Sequence, residues 1–298
     1  KTTIKSNFLT KIKINKDNIS YYSSILKDFK FINNETSVYA NLNNFLEITF
    51  DETFEITNFI FKNNGEIKQL LFKFNKPFQS NFIDKDISNL YLKNSSFNTS
   101  FGLNMKNKIT TNGQYSFNDT DYYKFDIKNS FYSQNLDTNL NFELAQKVKV
   151  DLINYRKNSS EIAKIFLNFE KKKDLINIKE FEYIENKNSI FIENLKLKKD
   201  NLISFEKINV KTFDGNIVNN DFSIKFKKDI KIKGNKYDAT QLNKLLQQKS
   251  KNNFLKKVNK NIEIDLKAIN TPLSEKLKNF RLIGVFEKGK FVKISSKG

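Results

Sequence analysis

Apolar and polar residues alternate along most of this chain. In the segment LNFELAQKVKVDL, Leu140, Phe142 and Leu144 fall on one side; after a phase shift at Gln146-Lys147, Val148, Val150 and Leu152 do the same. The pattern returns in Phe222, Ile224, Phe226, Ile230 and Ile232, and again in Ile262, Ile264 and Leu266. Shorter runs of the same kind occur at Ile12–Ile14, Ile48–Phe61, Leu70–Phe74 and Phe291–Ile294. A period of two predicts strands with one dry face and one wet face. The spacing predicts about 18–20 such strands joined by short spacers, as in antiparallel hairpins and meanders.

The rhythm breaks at Gly234, where a missing Cβ allows the chain to turn. Asp238 then reads as a helix N-cap with Gln241 three residues on, followed by an apolar stripe of Leu242, Leu245 and Leu246. This predicts one short helix over residues 238–255, lying against an open edge or the mouth of a groove so that its leucines cover apolar surface. The expected fold is therefore mainly β: an elongated, curled antiparallel sheet with this single helix. Two organisations of the dry face stay open at this point. A second sheet packs over it in a sandwich, or curling leaves a long apolar trough.

No linker rich in Pro, Gly or Ser divides the chain. A soft boundary is expected near residues 75–100, where the first proline occurs, giving an N-terminal β-meander over 1–80 and a β-groove region over 81–298. The chain lacks an initiator Met and its last residues, KISSKG, stop in mid-pattern, so a fragment of a longer chain is expected.

Composition narrows the chemistry. The 298 residues contain no Cys and no His, which excludes thiolate metal sites, Cys nucleophiles and His-based triads; only carboxylates, Lys and Tyr remain for acid–base chemistry, and no catalytic residue, metal or cofactor is expected. The net charge is +19, yet arginine occurs only at Arg156 and Arg281. Readers of nucleic acid favour Arg for bidentate contacts. Abundant Lys, Asn, Ile and Phe match an AT-rich coding bias instead, so no nucleic-acid partner is expected. With 8 Gly and 2 Pro, tight turns fall to Asn and Asp. The lysine runs EKKKD (Glu170–Asp174) and KLKKD (Lys196–Asp200) read as solvated faces and guards of strand edges. Asp119 and Asp121 read as a hairpin turn, and the carboxylates of FDETFE (Phe50–Glu55) lack the support that a glycoside hydrolase needs.

The segment from Lys231 to Gly298 carries a resemblance. A strand ends in Gly234; Tyr237, Asp238 and Ala239 lead into Leu242, Leu245 and Leu246; later strands carry Leu277, Asn279 and Phe280, then Gly289 and Phe291 of a hairpin. This arrangement resembles the C-terminal region of the AsmA-like family of Gram-negative envelope proteins, of the YhdP and TamB kind. The likeness covers residues of about 200–298; over 1–200 only the strand rhythm matches. It implies a non-enzymatic phospholipid-transport or bridge protein in the periplasm that supports outer-membrane biogenesis. It also implies anchoring to the inner membrane through a segment not present here, and envelope proteins as further partners. On that view lipid tails lie along a groove lined by Leu140, Phe142, Leu144, Val148, Val150, Phe222, Ile224, Phe226, Ile230, Ile232, Ile262, Ile264 and Leu266. The alternative is a structural or adhesive β-rich surface protein in which the same residues pack on one another.

Overall fold

The computed structural model describes residues 1–14, 36–199, 201–241, 258–273, 276–288 and 290–298. Its strands form open, curled, mixed sheet structure, and one 3-10 turn, Asp151–Ile153, interrupts them among the described residues. The chain divides into two compact units, Lys1–Ser80 with Lys85–Glu143, and Asn81–Asp84 with Leu144–Gly298.

In the first unit β1 (Thr2–Ile14) pairs antiparallel with β2 (Ser37–Phe50), and β2 with β3 (Ile56–Ser80). The four strands β4 (Ile83–Gly102), β5 (Asn107–Ser116), β6 (Tyr123–Tyr132) and β7 (Asn135–Leu144) follow in antiparallel succession. FDETFE is the β2–β3 turn, where the Asp51 carboxylate accepts bonds from Thr53 N–H at 2.9 Å, Thr53 Oγ1 at 2.8 Å and Glu55 N–H at 3.0 Å. These bonds, the Thr53 hydroxyl first, hold the Asp51 carboxyl below its usual range. Asp119 and Asp121 belong to the β5–β6 turn, organised by Asn118, whose Oδ1 accepts from Thr120 N–H and Asp121 N–H.

The second unit starts with a strap: β8 (Val148–Val150), the 3-10 turn and β9 (Tyr155–Lys157). Then come β10 (Ala163–Lys172), β11 (Leu175–Glu185), β12 (Asn188–Lys198), the short β13 (Asn201–Ser204), β14 (Lys207–Asp214), β15 (Ile217–Phe226) and β16 (Ile230–Asp238). β17 (Lys260–Asn270), β18 (Lys276–Glu287) and β19 (Lys290–Lys297) complete it. Neighbours pair antiparallel except β16 and β17, which run parallel from Ile230↔Ile262 to Asp238↔Asn270. This corrects the expectation of a wholly antiparallel sheet. A parallel pair needs a crossover long enough to bring the chain back to its starting rim, and residues 239–259 supply one. Leu242, Leu245, Leu246 and most of the expected helix fall in this crossover, outside the described residues.

Gly234 also plays a different part from the one expected. The strand runs straight through it to Asp238, and it faces Phe222 on one side and Leu266 on the other. A Cβ there would come within 2.3 Å of the Asp221 carbonyl oxygen and 2.5 Å of Phe222 Cα, so glycine serves close strand approach. Asparagine takes the left-handed positions that few glycines remain to fill, at Asn94, Asn104, Asn154, Asn186, Asn194 and Asn279.

Candidate functional site: an apolar face of the second unit

Cross-strand register turns the alternation of single strands into rows. Leu167 on β10 faces Phe181, which faces Ile192, which faces Ile208. The row continues without a break through Ile224, Ile232, Ile264 and Leu282. At about 4.8 Å per strand, these eight positions span roughly 34 Å. Every one of them is half-buried. A second row lies beside it: Ile165, Tyr183, Ile190 and Val210, then Phe222, Gly234, Leu266 and Phe280. Tyr183, Val210, Phe222 and Leu266 of that row are buried. The reverse of the sheet is charged: Lys231 contacts Glu263 at 2.8 Å and Arg281 stands 3.8 Å from Asp265. The Lys231 bond holds the Glu263 carboxyl below its usual range.

The apolar face is closed where its strands end, along the two rims that flank the rows. Along one rim Leu202, Phe205, Phe226, Val258, Ile262 and Phe286 form a buried cluster. Phe205 and Phe226 rings meet at 5.1 Å, and Ile208, Ile224, Ile230 and Ile264 pack against the cluster. Along the other rim a polar row carries the strap. Asn220 Nδ2 donates to the Ile153 carbonyl at 2.7 Å and to Thr212 Oγ1 at 2.8 Å, while its Oδ1 accepts from Asp238 N–H. Asn154 Nδ2 donates to Asp238 Oδ2 at 3.0 Å, and Tyr237 O–H to the Leu152 carbonyl at 2.8 Å. Tyr155 O–H bonds Glu185 Oε2 and Tyr183 O–H, each at 2.9 Å. Lys157 is buried and donates to the carbonyls of Ala145, Asn158 and Glu161, and burial pulls its ammonium below the usual lysine range. An irregular strap leaves backbone groups without ladder partners, and these side chains supply them.

The residues nominated from the alternation divide accordingly. Ile224, Ile230, Ile232 and Ile264 are half-buried on the apolar face. Phe226 and Ile262 belong to the packed end cluster, and Phe222 and Leu266 to the buried second row. Leu144 ends β7 and is buried; Val148 and Val150 belong to the strap, where Val148 pairs with Ile83 of β4. Leu140 and Phe142 lie in the first unit, opposite Ile127 and Phe125. The phase shift read at Gln146-Lys147 falls where β7 ends and the strap begins. Asp238 accepts from Thr240 N–H at 3.0 Å and Thr240 Oγ1 at 2.6 Å, a local turn that closes β16.

The first unit differs in the chemistry of its face. Asn44 and Asn63 face each other in register and are buried, with Asn63 Nδ2 donating to Asn44 Oδ1 at 2.7 Å. Ser95, Thr99, Ser116 and Thr138 are buried as well. The uninterrupted oily rows are a property of the second unit. The polar residues that interrupt the first were not legible from alternation, because Asn and Thr alternate there just as they do on a wet face.

No family model matches the chain, and neither a curated protein nor a solved structure matches it.

Proposed function

We propose that the apolar face of the second unit holds the acyl chains of phospholipid, and that the chain is a non-enzymatic lipid-transport or bridge protein of the bacterial envelope. The observation that carries this reading is the eight-strand row from Leu167 to Leu282, apolar at every position and half-open along its length. Successive positions are chemically alike, so an acyl chain moving along the row exchanges one apolar contact for the next. Leaving it exposes the tail to water, at about 0.8 kcal/mol per CH₂, or roughly 12 kcal/mol for a chain of about 16 carbons. Sliding thus costs little and escape costs much. The resemblance of residues 200–298 to AsmA-like proteins supports a periplasmic location, anchorage to the inner membrane by a segment outside this chain, and envelope-protein partners.

A second reading, a structural β-rich scaffold, draws on the end cluster: Phe226 and Ile262 are packed by the chain's own side chains. The two readings separate on extraction. Protein purified without detergent should yield phospholipid to organic solvent, and a lipid-free extract favours the scaffold.

A further inference from the structure

The two rims of the second unit, where its strands turn, carry different charge. On the rim beside the Phe226 cluster lie the β10–β11, β12–β13, β15–β16 and β18–β19 turns and the arrival at β17. They present Lys172, Lys173, Lys199, Lys227, Lys228 and Lys288, all exposed. Among the described residues the turns on the opposite rim, Asn186-Lys187, Gly215-Asn216, Ala239–Gln241 and Thr271–Leu273, hold one lysine, and Lys276 and Lys297 stand at strand ends beside them.

Backbone conformation sets three of these lysines apart from the general lysine excess. Lys173, Lys199 and Lys288 occupy left-handed turn positions with φ of 52°, 47° and 50°. A side chain pays for that conformation, and Gly or Asn adopts it more readily. The opposite rim uses Asn186 and Gly215 at its left-handed positions. One rim thus accepts strain in three turns and gains a cation in each. Among the described residues, four carboxylates share this rim. Asp174 stands 3.6 Å from Lys199, Glu206 accepts from Asn194, Asp229 accepts from Asn261, and Glu287 flanks Lys288.

We infer that this rim docks on an anionic phospholipid surface, its lysines contacting headgroup phosphates. The inference rests on the reading of the neighbouring apolar face as an acyl site and adds which rim meets the membrane. A membrane fits better than nucleic acid on two counts. The cations are lysines, which meet phosphate as point charges, whereas nucleic-acid readers favour the planar fork of Arg. They also border exposed apolar side chains, Ile203, Phe291 and Val292, that a bilayer can take up.

The test measures binding of the 298-residue chain to phosphatidylglycerol/phosphatidylcholine vesicles and to pure phosphatidylcholine vesicles across a salt series. One variant carries Lys172→Glu, Lys173→Glu, Lys227→Glu and Lys228→Glu. A control with the same change in net charge carries Lys267→Glu, Lys276→Glu, Lys278→Glu and Lys297→Glu; all eight positions are exposed. The expected result is salt-sensitive binding to the anionic vesicles only, weakened at least about 100-fold in the rim variant and less than about threefold in the control. Equal losses in both variants, or no vesicle binding, overturn the inference. So does tighter binding to a DNA duplex that the rim variant loses. A fluorescent fatty acid, titrated in parallel, reports the acyl site separately: retained probe binding with absent vesicle binding overturns the rim alone, and the reverse overturns the acyl reading.

Discussion

Gly234 illustrates how much a single position decides. Its neighbours across the sheet are backbone atoms and the large side chains of Phe222 and Leu266, so the space a Cβ needs is taken. Gly234→Ala forces β15 and β16 apart at the centre of the apolar face. An overpacked core substitution costs about 1–3 kcal/mol, and a backbone clash belongs at the upper end. Chemical denaturation should show a loss of that size, whereas Gly215→Asn, at an open left-handed turn with nothing near its Cβ position, should cost well under 1 kcal/mol, roughly the glycine–asparagine difference at such sites. The break in alternation at Gly234 is visible in the sequence, but its cause is not. A glycine that ends a strand and a glycine that lets two strands approach look alike until the register is known.

At the level of elements, alternation makes most strands legible, including β15, β16 and β17. What it leaves out is which strands pair. The crossover of residues 239–259 returns β17 to the starting rim of β16, and nothing in its composition specifies a parallel neighbour. The strap was equally hidden: the phase shift at Gln146-Lys147 marks its start, but Val148 and Val150 alternate like any other strand and give no sign of the turn at Asp151–Ile153. Its attachment makes a prediction about pH. Burial, then the bond to Tyr183, raises the Tyr155 hydroxyl above the usual tyrosine range, and burial, then Glu185, pushes Tyr183 up to about 12. A tyrosine raised in the fold stabilises it fully below its unfolded value near 10, and that contribution declines as pH rises through the folded value. Thermal stability should therefore fall between about pH 10 and 12, with amide exchange in residues 151–157 accelerating first. The double variant Tyr155→Phe, Tyr183→Phe should lessen that dependence and leave the part carried by the other raised tyrosines, Tyr115, Tyr122, Tyr123 and Tyr237. An unchanged slope would mean that other groups govern the alkaline transition.

For the whole molecule, β class and a one-sided apolar character were legible from period two. The difference between the two units was not. Buried Asn44, Asn63, Thr99 and Thr138 interrupt the face of the first unit, and only register shows them turned inward. The second unit keeps its rows apolar from β10 to β18, flanks them with a buried cluster along one rim and a hydrogen-bonded strap along the other, and leaves the row between half-open. A packed scaffold gains nothing from leaving that row accessible, whereas an acyl chain needs it so.

The most direct measurement is the titration of a fluorescent fatty acid into delipidated protein, comparing the native chain with Ile224→Gln, Ile232→Gln. These two side chains are adjacent in register at the centre of the row and half-buried, so the amides can be solvated without unfolding the sheet. Saturable binding that weakens about tenfold or more in the variant, with circular dichroism unchanged, is the predicted result. Absence of saturable binding by the native chain, or equal affinity in the variant, would contradict an acyl site on this face.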